Sequence, residues 1–366
     1  MNYKILCITD QSDLPETELF IGIKDSGVDI EVICNSSGRY YQRLLRSGVK
    51  TIDLVLKSRF DLFGIRRIRR QLKTKTYNIL YCFNNLAASN ALLAARNIPV
   101  KFVTYRGTMG NIHFLSPASW TTHIHPRVNR IVCVSDAVRN HLINMKFLCF
   151  KIPPERVVTI YKGHDVNWYQ IPHADLSGFN VPHGAFVVGF AGRNRPHKGL
   201  DVLINSARWL PEKAPIHFLL MGKLEANKRL IKLINNSPFK NKIHLIKYQN
   251  DVPAIAAACD TFIMPSTKRE GLSRAVIEAM SCETPPIVSN IGGLPELVVN
   301  NHSGLVVPAE NPKAIADAIM MLYKYPERKK KMGENARKRI KTHFNIQKTV
   351  AETKEMFETL ICERAK

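Results

Sequence analysis

Two glutamates stand eight residues apart in the segment TFIMPSTKREGLSRAVIEAMSCETPPIVSNIGGLPELV, which begins at Thr261. Glu270 follows an apolar run typical of a buried strand and a polar turn, and Glu278 lies in the helix-like stretch beyond them. If most of the interval is helical, a rise of about 1.5 Å per residue separates the two carboxylates by roughly 10 Å. Carboxylates accept paired hydrogen bonds from hydroxyl groups. The spacing therefore suits the hexose and the ribose at the two ends of a nucleotide sugar.

The start of a predicted helix lies between these glutamates, at Gly271, Leu272 and Ser273. The first amides of a helix have no partners within it and the helix dipole is positive there, so a diphosphate can dock at this point. A purely structural interpretation stays open. An acidic residue is stabilised at a helix start whatever its function, and the second glutamate would then lie on a solvated face.

Two cations follow another apolar run, in the segment FVVGFAGRNRPHKGLDVLINSARWL. Arg193 offers a planar fork of donors and Lys198 a compact charge, and both suit a diphosphate leaving group whose charge grows as a glycosidic bond breaks. The alternative is an ordinary solvated loop. The segment lacks the pattern GxxxxGK[ST], so it is not a P-loop.

The elements that position these residues alternate along the whole chain, with short apolar runs separated by helix-length segments. Such alternation is typical of βαβ units and parallel sheets, and nearly continuous apolar runs indicate strands covered by helices on both faces. Twelve strands are too many for one typical doubly wound sheet, so we expect six in each of two lobes. The runs are YKILCIT, DIEVIC, TIDLVL, NILYCF, VKFVTY, RIVCVS, FVVGFAG, IHFLLMG, KIHLIK, DTFIMP, PPIVS and GLVVP.

The chain length also favours two domains, since 366 residues exceed the usual ~150 per domain about twofold. The change of lobe is expected in the stretch from Trp168 to Gly184, where Pro and Gly interrupt the pattern. We predict one Rossmann-like domain over residues 1–170 and a second over 171–344. A final helix over about 345–366 is expected to pack back on the first, and a ligand cleft is expected where the carboxyl ends of the strands of the two lobes face each other.

The phrases AGRNRPHKGLDVLINSARWL and REGLSRAVIEAMSCETPPIVSNIGGLPELVVNNHSGLVVPAENPKAIADAI resemble the group 1 glycosyltransferases, the retaining family four with the GT-B fold. The resemblance implies that Arg193 and Lys198 hold the donor diphosphate, that Glu270 faces the donor hexose, and that Glu278 binds the ribose. It also implies that the base lies near residues 247–252, that the second domain binds the donor and the first the acceptor, and that the reaction retains the anomeric configuration by a front-face route.

The first half of the chain departs from the pattern of that family. ITDQSDLPETELF, with Asp10 and Asp13, has no glycine pair after the first strand, and Arg106-Gly107 stands where members often carry a histidine. Arg106 is a candidate for holding an acceptor acid or phosphate, and His113 is a weaker substitute. A structural role is an equal alternative for each of these acceptor-side candidates.

No cofactor or metal is expected. The chain contains no DxD, so Arg193, Lys198 and the helix amides would have to balance the diphosphate charge themselves. The eight cysteines form no zinc-like spacing, which suits a reducing cytoplasm. No apolar stretch approaches the ~18 to 20 residues that cross a bilayer, and MNYKILCITD reaches an acid too early for a signal peptide.

The net charge of +23 predicts attraction to anionic partners. Between Lys57 and Lys75 the chain has eight cations, one acid and a stripe of apolar residues at helical spacing: Phe60, Phe63, Ile68 and Leu72. We hypothesise that this helix attaches the protein peripherally to an anionic bilayer at the cytoplasmic face of the inner membrane. The alternative is an ordinary covering helix whose stripe packs on the sheet.

Three other functions compete with a glycosyltransferase. A nucleic-acid binder lacks a recognition helix or RNP-like strand, so no nucleic-acid partner is expected, and a nicotinamide enzyme lacks GxGxxG after the first strand. A GT-B phosphorylase or sugar-phosphate synthase would share the site and use a small soluble acceptor. We predict a retaining, metal-independent transfer of a hexose from a UDP- or GDP-sugar to a hydroxyl of lipopolysaccharide or another envelope glycan.

Overall fold

The computed structural model describes residues 3–249 and 251–363, and the chain divides into two compact units. The first unit combines the chain up to Gly163 with the segment from Ile346 onward, and the second unit runs from His164 to Asn345. The change of unit therefore comes seven residues before the predicted boundary at 170. The segment after Gly163 is held by the second unit: the His164 amide donates to the Phe344 carbonyl at 2.7 Å, and the Tyr169 ring is buried.

Parallel strands form the centre of the first unit. In the described part of the chain, seven of them make one sheet in the order β3-β2-β1-β4-β5-β6-β9, while β7 and β8 form a separate antiparallel hairpin. The strands are β1 (Lys4–Ile8), β2 (Asp29–Cys34), β3 (Lys50–Asp53), β4 (Ile79–Cys82), β5 (Lys101–Arg106), β6 (Val128–Cys133), β7 (Lys146–Phe147), β8 (Phe150–Lys151) and β9 (Val157–Thr159). The helices are α1 (Leu14–Asp25), α2 (Tyr41–Arg46), α3 (Leu62–Thr74), α4 (Asn85–Ala94), α5 (Pro117–Trp120) and α6 (Asp136–Asn144).

The second unit repeats this plan. Six parallel strands of its described residues lie in the order β12-β11-β10-β13-β14-β15. They are β10 (Phe186–Ala191), β11 (Ile216–Met221), β12 (Ile243–Ile246), β13 (Thr261–Met264), β14 (Pro286–Ser289) and β15 (Leu305–Val307). The helices of this unit are α7 (Leu200–Ser206), α8 (Lys228–Asn235), α9 (Val252–Ala257), α10 (Arg274–Ser281), α11 (Leu294–Leu297), α12 (Pro312–Lys324) and α13 (Pro326–His343).

All twelve predicted strands are present, and both units are doubly wound α/β folds as the sequence predicted. Every residue of β4, β10, β11, β13 and β14 is buried, which explains why those strands are continuous apolar runs. The prediction missed β9 and the β7–β8 hairpin, because strands of two or three residues leave no periodic signal.

Each sheet reverses its winding direction at one point. In the first unit this switch point lies between β1 and β4, and in the second it lies between β10 and β13. The loops that follow the two strands of a switch point diverge to opposite faces of the sheet and leave a crevice at its carboxyl edge. The fold therefore marks the loops after β10 and β13 as the place to look for a ligand site.

The C-terminal helix α14 (Ile346–Cys362) packs on the first unit. It contacts α1 where Gly22 leaves room for Val350, and the buried Phe357 ring meets the edge of the Tyr81 ring at a centroid distance of 5.8 Å. Lys354 adds a 3.1 Å hydrogen bond to the Ser26 carbonyl at the end of α1. The chain thus returns to its first unit after completing the second.

The basic helix α3 does not present the single apolar stripe that the sequence predicted. Ile68 and Leu72 are buried, whereas Phe60 and Phe63 are 57% and 66% exposed. The reason is that Asp61 caps the helix, so Phe60 precedes it and Phe63 lies in its first turn, beyond the packed surface. Among the described residues, none of the helices has both the length and the apolar character that crossing a membrane requires.

Candidate active site

The loops after β10 and β13 are brought together by the sheet of the second unit. These two strands are neighbours, with Val188 opposite Thr261 and Gly189 opposite Phe262. The first loop runs from Gly192 through a 3-10 turn that ends at Lys198, and the second runs from Pro265 to Ser273. Because parallel strands end at the same edge, both loops stand at the switch point, where open α/β sheets bind ligands.

Lys198 and Glu270 form an ion pair between these loops. The Lys198 Nζ lies 2.8 Å from Glu270 Oε2 and 3.1 Å from Oε1, and the two side chains are only 17% and 10% exposed. The Ser266 hydroxyl donates to the same Oε2 at 2.7 Å, and the Ser289 hydroxyl at the end of β14 donates to the Ser266 carbonyl at 2.5 Å. Residues at or beyond the ends of three neighbouring strands of the sheet, β10, β13 and β14, thus fix the position of the Glu270 carboxylate.

Two glycines in the left-handed backbone region allow the loops to approach this closely. A Cβ on Gly199 (φ +68°) would lie 1.9 Å from the Pro265 carbonyl oxygen, and one on Gly292 (φ +58°) would lie 2.0 Å from the Glu270 carbonyl oxygen. The Thr267 amide closes the contact by donating to the His197 carbonyl at 2.9 Å. Gly292 belongs to the GGLPELV phrase, so that motif has a positioning role for Glu270.

Glu278 lies on the helix that follows, but this helix begins later than predicted. Ser273 is the N-cap and α10 starts at Arg274, so Gly271 and Leu272 belong to the preceding loop. About half of the interval between the glutamates is therefore not helical, and the spacing estimate made for a mostly helical interval does not apply. Glu278 is 8% exposed and forms an ion pair with Arg274, whose Nε lies 3.2 Å from Oε1, so Glu278 is not the solvated residue of the structural alternative.

Arg193 does not join this cluster. Its side chain is exposed, and in the described ranges it has no hydrogen bond or ion pair with Lys198 or Glu270. The predicted base-binding loop, residues 247–252, includes Asn250, which lies outside the described residues. The predicted donor residues that are buried or half-buried in the second unit are Lys198, Glu270, Gly271, Leu272, Ser273 and Glu278.

The acceptor-side candidates all belong to the first unit. Arg106 ends β5 and is 6% exposed; its Nη2 donates to the Gly110 carbonyl and its Nε has no partner. Burial lowers the pKa of this guanidinium. Gly107 is half-buried beside Tyr105, and the His113 side chain is exposed.

Asp13 has two structural tasks. It caps α1 by accepting from the Glu16 amide at 3.1 Å, and it pairs with Lys162 at 2.7 Å. Burial raises the pKa of the neighbouring Glu16 to about 7, although Lys162 opposes the shift. Glu16 and Lys162 line a cavity of about 20 Å³ with the rings of Tyr81, Phe83 and Tyr105, which is room for one water molecule.

Sequence reasoning missed several residues of these sites. Ser266 and Gly292 could have been found from the sequence, since both lie within the segment that contains the two glutamates. Lys162 could not, because it is 149 residues from Asp13. His123 was also missed: it is buried between Thr104 at 3.0 Å and Asn85 at 3.1 Å, and burial, reinforced by Arg106, lowers its pKa to about 3. That imidazole is therefore neutral at physiological pH.

Comparison with known proteins bears on both units. Residues 176–339 match the family model for glycosyl transferases group 1, and residues 17–168 match the model for glycosyltransferase family 4. The two models together cover most of the chain, which belongs to the group 1 glycosyltransferases, as the resemblance indicated.

Individual relatives extend this result. Over 353 residues, 92% of this chain and 90% of the relative, the chain is 25% identical to the UDP-Gal:alpha-D-GlcNAc-diphosphoundecaprenol alpha-1,3-galactosyltransferase of Escherichia coli. It is 31% identical to the capsular polysaccharide biosynthesis glycosyltransferase CapM of Staphylococcus aureus, with 64% of this chain and 62% of that protein covered. Two uncharacterized glycosyltransferases of Methanocaldococcus jannaschii are each 29% identical, and the chain spans about 60% of their length.

The fold also matches solved structures. Anabaena Alr3699/HepE in complex with UDP is 19% identical, with a TM-score of 0.78 over 97% of this chain and 100% of that one. This likeness shows the fold, which is the two-domain GT-B arrangement of parallel α/β units that the sequence predicted.

Proposed function

We propose that this protein is a retaining glycosyltransferase that transfers a hexose from a nucleotide sugar to a hydroxyl of a cell-envelope glycan. The observation that carries the proposal is the buried Lys198–Glu270 pair at the β10/β13 switch point, with Glu278 buried on the next helix. A cation and two carboxylates at the carboxyl edge of one sheet match the three parts of a nucleotide sugar: its phosphates, its hexose and its ribose.

In this proposal Glu270 orients the donor hexose and Glu278 accepts from the ribose hydroxyls. Lys198 and Arg193, with the amides of Gly271, Leu272 and Ser273, stabilise the diphosphate as its charge grows in the transition state. Lys198 has three donors on one ammonium group, so it can turn from Glu270 to a phosphate oxygen when the donor enters. The exposed Arg193 stands on the same loop as Lys198 and can close over the diphosphate. No metal is needed in this scheme.

The comparisons support a UDP-linked donor over a GDP-linked one. The name of the Escherichia coli relative specifies UDP-Gal as donor and a diphosphoundecaprenol-linked sugar as acceptor, and HepE was crystallised with UDP and with UDP-glucose. We infer that the acceptor is a lipid-linked precursor of lipopolysaccharide or of a related surface polymer. The protein would then work at the cytoplasmic face of the membrane that holds this lipid.

Thermal unfolding with UDP, GDP, ADP and their sugars tests the donor site. A ligand at 100 times its Kd adds about 2.7 kcal/mol to the free energy of unfolding, so UDP should raise the Tm clearly. Glu278→Ala should abolish most of this shift. Glu212→Ala, which removes an exposed carboxylate of the same unit, should leave it unchanged. Equal shifts in both variants would contradict the assignment.

The acceptor class needs a separate assay. Transfer of radiolabelled hexose to an undecaprenyl-diphosphate-linked sugar supports the proposal, and an α-linked product supports retention when the donor is an α-linked UDP-hexose. Efficient turnover with inorganic phosphate or a hexose phosphate would instead identify a phosphorylase or a sugar-phosphate synthase. Activity that survives EDTA supports metal independence, and activity that is lost and then restored by Mg²⁺ would contradict it.

Peripheral membrane attachment through α3 forms part of the proposal. Phe60, Leu62 and Phe63 are exposed at its start, and Arg66 and Arg70 are exposed along it. Arg69 is different, because its Nη1 bonds the Ala94 and Arg96 carbonyls and holds the helix in place. Apolar and cationic side chains on one surface suit an anionic bilayer.

The variant Arg66→Glu/Arg70→Glu should therefore lose binding to phosphatidylglycerol vesicles. Lys330→Glu/Lys338→Glu on α13 changes the net charge equally on exposed positions of the second unit, and it should retain binding. A parallel loss in both variants would show that net charge alone accounts for the attachment.

A further inference from the structure

The β7–β8 hairpin, residues 146–151 with the sequence KFLCFK, exposes apolar side chains at its tip. Leu148 is 85% exposed, Phe150 45% and Phe147 37%. Cys149 completes the turn and is also exposed. A short water-facing turn usually carries Gly, Asn, Asp or Ser, so this composition is unusual for a loop in contact with solvent alone.

Charge repulsion and backbone strain also destabilise the hairpin in water. Lys146 stands directly opposite Lys151 in the strand pair, and like charges in that position repel each other. Leu148 adopts a φ of +52°, in the left-handed region that favours Gly and Asn over branched apolar residues. The hairpin pairs with no other strand of the described chain, and an isolated two-stranded ribbon is only marginally stable.

The second strand of the hairpin nevertheless packs on the first unit through one face of Phe150. The Phe150 ring meets the Trp120 ring edge-on at a centroid distance of 5.4 Å and lies 6.2 Å from the Phe114 ring. Trp120 Nε1 donates to the Phe114 carbonyl at 2.6 Å, which fixes the indole. The support comes from the segment that follows His113, so the hairpin is braced against the loop after β5 while its tip projects outward.

We propose that the KFLCFK hairpin inserts its tip into an anionic lipid bilayer. A bilayer interface removes two of these costs at once, because Leu148 and the flanking rings leave water and the paired lysines face lipid phosphates. Neither lysine has an ion pair within the described ranges, so both charges are available for this contact. A protein partner would have to present an apolar pocket and carboxylates at one spot, whereas an anionic bilayer offers both over its whole surface.

This inference adds a second contact to the membrane association proposed through α3. The hairpin rests on residues 114–120, which directly follow the acceptor-side candidate His113. Docking of the tip therefore brings the loop after β5 to the lipid surface, where the head group of a lipid-linked acceptor lies.

Leu148→Asn provides a sharp test. Asparagine tolerates the left-handed turn, so the variant should unfold at or above the wild-type temperature while it loses the apolar tip. We expect its partition onto phosphatidylglycerol vesicles to fall about tenfold, since removing one leucine from the interface loses at least that much affinity. The matched variant Leu45→Asn, at a residue 43% exposed on α2, should bind as wild type.

A fluorescent probe locates the contact directly. Bimane attached to Cys149 in a Cys282→Ser/Cys362→Ser background should shift to the blue on phosphatidylglycerol vesicles and shift back in high salt. A probe that stays in water while the protein sediments with vesicles through α3 would overturn the hairpin contact and leave the α3 attachment intact.

Two further measurements distinguish insertion of the hairpin into a bilayer from self-association and from the donor-site proposal. If sedimentation equilibrium shows a dimer that Leu148→Asn dissociates, with vesicle binding unchanged, the tip is an interface between copies and the bilayer proposal is wrong. The UDP-induced thermal shift of Leu148→Asn should equal that of wild type, so failure of the hairpin contact is distinct from failure of the donor site.

Discussion

The two units follow the same doubly wound plan but hold their predicted site residues in different ways. In the second unit, Lys198 and Glu270 follow neighbouring strands and meet at 2.8 Å. In the first unit, Arg106 is buried against Gly110, His113 is exposed, and Asp13 pairs with Lys162 instead. Motif spacing therefore predicts which side chains meet when the residues follow adjacent strands of one sheet, and it fails when the partner comes from a distant part of the chain.

The largest effect should come from Glu270→Gln. This change keeps the size of the side chain but removes the charge that holds Lys198 and would orient the donor hexose. We expect turnover to fall about 10²- to 10³-fold, as when one electrostatic contact to a transition state is lost. Glu278→Ala should instead mainly raise the KM for the donor. Steady-state kinetics with UDP-sugars measure both.

The control for these two variants is Glu212→Ala, which should retain wild-type kinetics. Arg106→Met provides the contrast in the first unit: its effect should appear in the KM for the acceptor, with the donor KM unchanged. If Arg106→Met weakened donor binding as strongly as Glu278→Ala, the division of labour between the units would be wrong.

Gly292→Ala should have the next largest effect. The new Cβ would lie 2.0 Å from the Glu270 carbonyl oxygen at a φ of +58°, so the loop must shift. We expect a loss of about 2–3 kcal/mol of stability. Turnover should drop about tenfold or more, because the displaced residue is Glu270 itself. Gly178→Ala meets nothing within 4 Å and should be neutral in urea unfolding and in activity.

The Lys198–Glu270 pair can be measured by a double-mutant cycle. Lys198→Met leaves a buried carboxylate without its cation, and Glu270→Gln leaves the ammonium group without its anion. The double variant should lose less stability than the two single losses added together, with a coupling free energy of about 1–2 kcal/mol. If the losses of unfolding free energy in the two single variants simply added up in the double variant, Lys198 and Glu270 would not interact in solution.

Much of the fold could be predicted because buried parallel strands are apolar along their whole length. The convergence of Lys198 and Glu270 followed from the same pattern, since both residues end strands at one edge of a sheet. Local chemistry limited other predictions. The N-cap at Ser273 moved the start of α10 past Gly271, and the cap at Asp61 left Phe60 outside α3. Each cap shifted an element by a few residues and changed which side chains it presents.

Long-range packing limited the prediction of the first unit. Nothing near Asp13 in the sequence indicates that Lys162 will reach it, or that Tyr81 and Tyr105 will enclose Glu16. In the sequence, Glu16 and Lys162 are indistinguishable from ordinary surface residues. Such a cluster appears only when strands and helices separated by more than a hundred residues have been assembled.

The smallest expected effect is on the pH dependence of stability, and it comes from Glu16. Burial raises the pKa of Glu16 from the ordinary 4.5 to about 7, so the folded chain keeps a proton that the unfolded chain releases between those values. This contribution to stability is complete below pH 4.5 and is lost as the pH rises through 7.

Glu16→Gln stays neutral at every pH and should not show this loss. Between pH 5 and pH 8 the wild type should therefore lose stability relative to the variant, as measured by urea unfolding. Glu155→Gln, at an exposed carboxylate of the same unit, should run parallel to wild type. If Glu16→Gln also ran parallel to wild type, Lys162 would be holding Glu16 ionised throughout, and the first unit would contain a buried ion pair similar to the one in the second.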